Sequence, residues 1–309
     1  MSAQESSNAP GAPTRAGFVA LIGAPNAGKS TLLNALIGQK LAIVTHKAQT
    51  TRALIRGITI HNNAQIVFVD TPGIFQPKRR LERAMVTTAW GGAADADVVA
   101  LLIDARRGLT EEDRAIVEKL AAFSAERERA LILNKVDIVK RDTLLALTAE
   151  ANELGAFSRT FMVSALTGDG VKDLLDYFAA AMPEGPFLYP EDQMTDLPLR
   201  WLAAEITREK LMLRLHDELP YRATVETETW TERKNGVRID QTIYVERDSQ
   251  RKIVLGKGGQ TVKAISIAAR VEISKLVERP VHLFLFVKVR ENWGDDPERY
   301  REMGIEFPR

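Results

Sequence analysis

Residues Gly23–Ser30 read GAPNAGKS and match the pattern G-x-x-x-x-G-K-S. An apolar run at Phe18–Ile22 precedes the motif and a helical period at Ser30–Ile37 follows it, so the motif joins a predicted strand to a predicted helix. Glycines at this place let the backbone curl until several N–H groups and a helix N-terminus point at phosphates. The stretch therefore predicts a phosphate-binding loop in which Lys29 holds the β- and γ-phosphates and Ser30 holds Mg²⁺.

Short apolar runs alternate with helical periods after this loop. Further buried strands are predicted at Gln65–Val69, Val98–Ile103, Ala130–Leu133 and Thr160–Val163, and further helices at Glu111–Phe123 and Val171–Ala181. Apolar strands that alternate with helices are typical of a mostly parallel sheet with helices on both faces. We therefore expect an α/β P-loop domain over residues 15–183.

Three motifs that follow predicted strands specify the nucleotide. Asp70–Gly73 (DTPG) places a carboxylate to support Mg²⁺ and a backbone amide near the γ-phosphate. In Asn134–Asp137 (NKVD), Asp137 can accept hydrogen bonds from guanine N1–H and the exocyclic amine, while the stem of Lys135 can cover the base. Adenine lacks both donors and would leave the aspartate partly unpaired, which produces strong rejection. Ser164–Leu166 (SAL) could present a backbone amide to the guanine oxygen.

Two polar stretches lie where nucleotide switches carry their mobile loops. The first, Gln39–Arg52, ends in QTTR, and one of its threonines should complete the Mg²⁺ shell when GTP is bound. We favour Thr51, and Thr50 is the alternative. The second stretch is Phe75–Arg83 (FQPKRRLER), whose basic residues could touch RNA or be solvated charges.

One position departs from the pattern of Ras-type switches, which carry a water-orienting glutamine directly after the glycine of the Asp-x-x-Gly motif. Here that position is Ile74, and no intrinsic arginine finger is evident. We therefore expect slow basal hydrolysis that depends on Mg²⁺, Lys29, loop amides, an ordered switch or a partner. Asn26 could help to hold a monovalent cation such as K⁺ in place of the finger, or could simply stabilise the turn.

Together these motifs predict a complete guanine-nucleotide site. Its nucleotide-binding residues are predicted to be Gly23, Ala24, Pro25, Asn26, Ala27, Gly28, Lys29, Ser30, Thr31, Asp70, Thr71, Pro72, Gly73, Ile74, Asn134, Lys135, Val136, Asp137, Ser164, Ala165 and Leu166. Mg²⁺ is assigned to Ser30, Thr51 and Asp70. Catalysis is assigned to Lys29, Thr51 and Gly73.

The composition excludes several classes of protein. The chain has 309 residues, of which 45% are hydrophobic and 27% charged, so wholesale disorder and fibrous architecture are ruled out and two domains are expected. The absence of cysteine excludes disulfides, thiolate metal sites and a cysteine nucleophile. No apolar run approaches the roughly 18–20 residues that a membrane-spanning helix needs. Residues 1–14 are interpreted as a disordered tail rather than a signal peptide.

A second domain is predicted after a stretch rich in proline and acidic residues, which we interpret as a linker over residues 184–198. Its element order is helix, two strands, two helices and a strand. These elements are predicted at Arg200–His216, Tyr221–Trp230, Val237–Val245, Gln250–Leu255, Gln260–Val277 and Val281–Val289. We expect an α+β domain over residues 199–309.

Gly256–Gly259 (GKGG) lies between the two predicted helices of that domain. A G-x-x-G loop clamps a single-stranded backbone in KH domains, although alone it also fits a plain interhelical turn. The surroundings of the loop favour RNA binding, because Arg247–Arg290 contains ten basic residues and only three acidic ones. The predicted RNA-binding residues are Gly256, Lys257, Gly258, Gly259, Lys252 and Lys263. Phe284 and Phe286 alternate with Leu283 and Leu285 and so share one face of the last predicted strand. The two phenylalanines could stack bases, but packing is favoured, and Trp293 beyond the strand is the better stacking candidate.

The motifs GAPNAGKS, QTTR, DTPGIF, NKVD and SAL, followed by YPEDQMTDLP, HDELPY and IVLGKGG, resemble the bacterial Era GTPase family over about residues 15–305. The resemblance implies a GTPase domain and a type II KH domain, with GTP or GDP and Mg²⁺ as ligands. It implies binding of 16S rRNA near its 3′ end, a role in maturation of the 30S ribosomal subunit, and a cytoplasmic monomer with some peripheral contact with the inner membrane. Ile74 fits the subgroup with a hydrophobic residue in place of the glutamine.

Two other functional classes stay open from the sequence. One is an RNA-binding assembly factor whose nucleotide site hardly turns over. The other is a GTPase that acts on a protein or membrane partner and uses its basic domain as an electrostatic dock.

Overall fold

The computed structural model describes residues 13–308 apart from 48, 122–126, 156, 217–218 and 292. Most of the tail predicted over residues 1–14 lies outside this range. The chain forms two compact units. The first consists of Met1–Ala42, Thr51–Lys78 and Met85–Asp196, and the second of Ile43–Thr50, Arg79–Ala84 and Leu197–Arg309. Two short segments from the sequence of the predicted GTPase domain therefore belong to the second unit.

The first unit is built on a six-stranded sheet. Its strands are β1 (Arg15–Gly23), β2 (Ile55–His61), β3 (Ala64–Asp70), β4 (Val98–Asp104), β5 (Glu128–Asn134) and β6 (Arg159–Val163). The order across the sheet is β2-β3-β1-β4-β5-β6, with β2 antiparallel to β3 and every other neighbouring pair parallel. Because β1 lies between β3 and β4, the strand order changes direction at β1. Sheets of this kind bind their ligands at such a point, beyond the carboxyl ends of the strands.

Helices cover both faces of this sheet. They are α1 (Lys29–Ile37), α2 (Arg80–Asp95), α3 (Glu111–Ala121), α4 (Arg141–Leu154) and α5 (Val171–Ala181). On one face, residues of α2, α3 and α4 pack in one apolar cluster with β1, β4 and β5. On the other, Phe178 of α5 meets Phe68 of β3 edge to face. The five predicted strands correspond to β1, β3, β4, β5 and β6, whereas β2, α2 and α4 were not predicted.

The segment predicted as a linker runs along the first unit for most of its length. The buried side chain of Gln65 accepts from the N–H groups of Leu188 and Tyr189 at 2.7 and 2.9 Å. Further along, the N–H of Ile58 donates to the carbonyl of Met194 at 2.8 Å. The division between the two units falls at Asp196 and Leu197.

The second unit has the predicted α-β-β-α-α-β order. Its elements are α6 (Leu199–Arg214), β7 (Ala223–Arg233), β8 (Gly236–Val245), α7 (Asp248–Leu255), α8 (Gln260–Leu276), β9 (Val281–Val289) and a terminal helix α9 (Pro297–Glu302). The sheet order is β7-β8-β9, antiparallel then parallel, and residues of α6 and α8 bury one face of the sheet. None of the helices in the described part of the chain is long and apolar enough to cross a membrane.

Candidate functional site: a phosphate loop and a glycine loop

Three residues of the phosphate loop have positive φ and give the loop its curled shape: Gly23 at 149°, Asn26 at 65° and Gly28 at 99°. Its lysine, Lys29, begins helix α1 with a buried side chain. The ammonium donates to the carbonyl groups of Gly23 and Ala24, both at 3.0 Å. Burial lowers the pKa of Lys29 to about 8, against the opposing effect of Asp70. The loop thus concentrates a desolvated positive charge where a phosphate would bind.

Three oxygen-bearing side chains from three different motifs meet beside this lysine. Ser30 Oγ donates to Asp70 Oδ2 at 2.6 Å, and Thr51 Oγ1 lies 2.8 Å from Ser30 Oγ and 3.3 Å from the same carboxylate oxygen. Burial raises the pKa of Asp70 to about 6, although Lys29 and the two hydroxyls lower it. The other oxygen, Oδ1, is buried and accepts no hydrogen bond from the residues that the structure describes. Hard oxygen ligands with an unfilled acceptor fit Mg²⁺.

The two candidate threonines have different surroundings. Thr50 Oγ1 donates to the carbonyl of Lys47 at 2.8 Å and lies 2.7 Å from Thr45 Oγ1. Only the hydroxyl of Thr51, of these two, contacts Ser30 and Asp70.

The DTPG motif passes close to the phosphate loop. The N–H of Ile74 donates to the carbonyl of Gly23 at 3.0 Å. A Cβ at Gly73 would lie 3.0 Å from the Cα of Pro25, so glycine permits this approach. The side chain of Ile74 is buried in the apolar cluster of the first unit with Ala24. An alkyl group in that position cannot orient a water molecule.

The side chain of Asn134 ties the base-recognition motifs to the phosphate loop. Its amide nitrogen donates to the carbonyl of Ala27 at 2.9 Å, and its amide oxygen accepts from the N–H of Ala165 at 3.0 Å. The ammonium of Lys135 donates to the carbonyl of Asn26 at 2.7 Å and to Asp104 at 2.6 Å. Asp104 was not predicted as a site residue, although its position at the carboxyl end of a predicted strand indicates such a role.

The residues expected to meet the base lie at the surface of the same edge of the sheet. Asp137 is exposed in the short turn Val136–Ile138 that follows β5. Leu166 is 82% exposed in the loop after β6. The phosphate loop, the Ser30–Asp70 cluster and the NKVD and SAL motifs therefore lie along one edge of the sheet.

The glycine loop of the second unit has three residues with positive φ: Gly256 at 72°, Gly258 at 59° and Gly259 at 77°. A Cβ at Gly256 would lie 2.2 Å from Thr261 Oγ1, whereas no atom of the described residues lies within 4 Å of a Cβ at Gly258. The loop leads into the 17-residue helix α8. The side chains of Lys252, Lys257 and Lys263 are exposed around it. This arrangement suits close approach of a phosphate backbone.

The prediction that Trp293 is the better stacking residue is wrong. Its side chain is only 2% exposed, and its indole N–H donates to the carbonyl of Arg222 at 3.0 Å. Phe284 and Phe286 are 45% and 51% exposed, since alternate residues of β9 turn away from the helices. The guanidinium of Arg238 lies over the Phe284 ring at 4.5 Å.

Two family models match different parts of the chain. Residues 18–135 match the family model described as 50S ribosome-binding GTPase, and residues 218–294 match that of the KH domain. The GTPase Era of Mesorhizobium japonicum is 71% identical over 296 residues, which cover 96% of this chain and 95% of that protein. The GTPase Era of Sinorhizobium medicae is 66% identical over 307 residues, covering 99% and 98%. The chain belongs to the Era GTPase family.

Solved structures of Era carry the same architecture. A crystal structure of Era in complex with MgGDPNP and nucleotides 1506–1542 of 16S ribosomal RNA matches with a TM-score of 0.89 at 38% identity, covering 94% of this chain and 99% of that one. A structure of Aquifex aeolicus Era, as a single-residue variant bound to GDP·AlF₄⁻, gives the same values. The predicted fold class is therefore confirmed, and membership of the Era family makes the chain a GTPase that carries a KH domain.

Proposed function

We propose that the chain is a GTP-hydrolysing switch that binds 16S rRNA near its 3′ end through its KH domain and acts in 30S subunit maturation. The observation that carries the proposal is the convergence of Ser30, Thr51 and Asp70 beside Lys29. One hydroxyl comes from the phosphate loop and the other from a segment that nucleotide state can rearrange. A site of this composition can distinguish GTP from GDP.

In this proposal Lys29 binds the β- and γ-phosphates, and Ser30, Thr51 and Asp70 hold Mg²⁺. When bound, Mg²⁺ neutralises charge on the β- and γ-phosphate oxygens. The buried carboxylate of Asp70 supplies a full negative charge to the ion, with Oδ1 as its free acceptor among the described residues. Asp137 recognises guanine, and Lys135, held by Asp104, lies along the base.

Hydrolysis is assigned to Lys29, Thr51 and the backbone of Gly73. The hydrophobic Ile74 stands in place of the water-orienting glutamine, so water must be positioned by backbone groups and by the ordered switch. Slow basal turnover follows. We further propose that Asn26 helps to hold K⁺ near the phosphates. This last role is supported by the exposure of Asn26 at the mouth of the loop, where its carbonyl also accepts from Lys135.

RNA binding is assigned to the glycine loop and to Lys252, Lys257 and Lys263. Support comes from the open, positively charged loop geometry and from the Era structure that contains nucleotides 1506–1542 of 16S ribosomal RNA. We assign the GTPase domain to residues 15–183, the linker to 184–198 and the KH domain to 199–309. A cytoplasmic monomer with some peripheral contact with the inner membrane completes the proposal, and it rests on family resemblance.

The test is RNA binding as a function of nucleotide state. A labelled oligonucleotide from the 3′ end of 16S rRNA is titrated with protein that holds GDP or a non-hydrolysable GTP analogue. Tighter binding with the analogue supports coupling between the sites. Gly258→Asp should weaken binding about tenfold while Gly258→Asn should not, because both tolerate positive φ and only the carboxylate repels phosphate.

Two further measurements, of GTP hydrolysis and of binding to scrambled RNA, address the two other functional classes. An RNA-binding factor with an inert nucleotide site would bind RNA normally. Its rate of GTP hydrolysis would be the same in wild type and in Lys29→Ala. An electrostatic dock for a protein or membrane would bind scrambled RNA as tightly as the 16S sequence at fixed salt, since phosphate contacts read no bases.

A further inference from the structure

Strand β9 of the second unit carries two phenylalanines on the face of its sheet that the helices leave uncovered. Phe284 and Phe286 are both roughly half exposed. The residues that alternate with them, Leu283, Leu285 and Val287, pack instead in apolar clusters with residues of α6 and α8. Successive side chains of a strand point to opposite faces of a sheet, so the two rings point away from the core of the unit. Two large rings that stay in water forgo the stabilisation that burial gives, which makes this face a candidate surface for a ligand.

The neighbouring strand places a cation over one of the two rings. Phe284 pairs with Asp240 of β8, and Arg238 lies two residues before Asp240 on the same face. The guanidinium of Arg238 is 4.5 Å from the centre of the Phe284 ring. It also donates to Asp240 through Nε and Nη2 at 3.0 and 3.2 Å, and such a bidentate pair fixes the plane of the guanidinium. Bases of single-stranded RNA stack on aromatic rings and on guanidinium planes, and both kinds of surface are present here.

The strand that bears the rings has positive charge and no negative charge. Residues 279–290 include Arg279, Lys288 and Arg290 and contain neither aspartate nor glutamate. Lys288 is exposed and follows Phe286 by two residues, so it lies on the same face of the sheet. Proteins that bind single-stranded nucleic acid combine cations for the phosphates with aromatic rings for the bases. The outer face of β9 has both.

The polar surroundings of the two rings favour RNA over a protein partner. Asp240 and Thr242 of β8 lie opposite Phe284 and Phe286, and the exposed Lys288 lies beyond them. The centre of a protein interface is, in contrast, a patch that is depleted in charged residues. The carboxylate of Asp240 is paired with Arg238, so it presents no unbalanced negative charge to a phosphate.

Helix α7 connects strand β9 to the glycine loop. The Nε of Arg251, in α7, donates to the carbonyl of Val287 of β9 at 3.3 Å. The same helix ends at Leu255, directly before Gly256. Strand β9 lies at the edge of its sheet. RNA that is held at the glycine loop can therefore continue past this edge to the two rings within the second unit.

We infer that Phe284 and Phe286, together with Arg238, form a base-stacking platform for single-stranded RNA that extends beyond the nucleotides at the glycine loop. Alternate residues of a strand lie about 6.6 Å apart, so each ring can hold a base of its own. Stacking accepts any base, so the platform adds affinity rather than sequence preference. This role rests on the proposed function, since it requires that the glycine loop binds RNA. All the residues concerned belong to the second unit.

The test measures binding of the full chain to two labelled single strands from the 3′ end of 16S rRNA. The short strand, of about five nucleotides, fills the glycine loop, which clamps four nucleotides in KH domains, and the long strand, of about twelve, also reaches the platform. Substituting leucine at both Phe284 and Phe286 keeps the side chains apolar but removes the rings. This variant should bind the long strand about tenfold more weakly and the short strand unchanged. Tyrosine at both positions keeps the rings and should preserve both affinities.

The salt dependence of binding identifies the kind of contact that is lost. Stacking releases no counterions, whereas each phosphate contact does. For the long strand, the slope of log affinity against log salt should therefore be the same in the wild type and in the leucine variant. A shallower slope in the leucine variant would show that the substitutions remove phosphate contacts, and it would overturn stacking.

Gly258→Asp separates the platform from the proposed function, because it should weaken binding of both strands. If it does so and the leucine variant binds the long strand as tightly as the wild type, the platform is overturned while the proposed function stands. A protein would then be the partner to test for the two rings. If Gly258→Asp changes neither affinity, the glycine loop is not the RNA site and the platform fails with it. Equal losses for both strands in the leucine variant would indicate structural damage and also overturn the platform.

Discussion

The side-chain amide of Asn134 donates to the carbonyl of Ala27 at 2.9 Å and thereby joins the base-recognition motif to the phosphate loop. This amide occupies the space beside Gly28. A Cβ built on Gly28 would lie 2.2 Å from the amide nitrogen. The glycine is therefore needed both for its φ of 99° and for the passage of the asparagine.

We predict that Gly28→Ala lowers the free energy of unfolding by about 2 kcal/mol and nearly abolishes GDP binding, because strain and the displaced Asn134 add together. Chemical denaturation and GDP titration measure the two effects. Gly108→Ala is the control, since Gly108 has a φ of 69° and its Cβ would meet no described atom within 4 Å. It should lose about 1 kcal/mol and retain GDP binding. Equal GDP affinity in the two variants would contradict the role of the Asn134 contact.

The lowered pKa of Lys29 predicts a pH dependence of nucleotide binding. Burial brings this pKa to about 8, so the ammonium loses its proton as the pH rises past 8. Bound phosphate favours the protonated form and raises the pKa, so binding takes up a proton at high pH. GDP affinity should therefore fall between pH 7 and 9, by up to about tenfold per pH unit at the alkaline end.

GDP titrations of wild type and Lys29→Arg over that pH range show whether the loss of affinity comes from deprotonation of Lys29 or of the guanine base. The guanidinium of the variant stays protonated throughout, so its affinity, although lower, should decline less with pH. An equal decline of GDP affinity in both proteins would show that deprotonation of guanine, and not of Lys29, causes the pH dependence.

The proposed K⁺ site predicts that the rate of GTP hydrolysis depends on which monovalent cation is present. Hydrolysis should be severalfold faster in K⁺ than in Na⁺ at equal ionic strength, and Asn26→Ala should abolish the difference. Asn63→Ala is a matched control, because Asn63 has a φ of 63° in the turn between β2 and β3. A K⁺ response that survives in Asn26→Ala would exclude this residue as the determinant.

Much of the nucleotide site could be predicted because of how parallel strands end. Asp70 and Asn134 each close a buried strand, and the carboxyl ends of parallel strands meet at one edge of a sheet. The spacing of motifs along the chain therefore translated directly into proximity. Strand β2 was missed because Ile55–His61 contains a glycine and alternates only partly, as an antiparallel edge strand can.

Other features depend on contacts that no local pattern encodes. The hydrogen bond between Val44 and Glu209 joins residues 165 positions apart, so the sequence gives no sign that residues 43–50 belong to the second unit. Trp293 follows the last predicted strand in a polar stretch, and its burial results from tertiary packing. The periodicity of β9 correctly placed Phe284 and Phe286 on one face but did not say that this face is exposed.

The two outer positions of the GKG triplet predict opposite tolerances to alanine. Both Gly256 and Gly258 have positive φ, so each alanine carries backbone strain of about 1 kcal/mol. Only at Gly256 does the new methyl group meet an obstacle, Thr261 Oγ1 at 2.2 Å. Gly256→Ala should therefore destabilise the protein by about 1–2 kcal/mol more than Gly258→Ala and weaken RNA binding more strongly.

Thermal unfolding and RNA titration of both variants measure this difference. Adding Thr261→Ala to Gly256→Ala removes the hydroxyl that the methyl group meets and should recover part of the lost stability. In the Gly258→Ala background the same second substitution has no obstacle to remove, so it should give no gain. Recovery of equal size in both backgrounds would show that the Gly256–Thr261 contact does not set the shape of the loop.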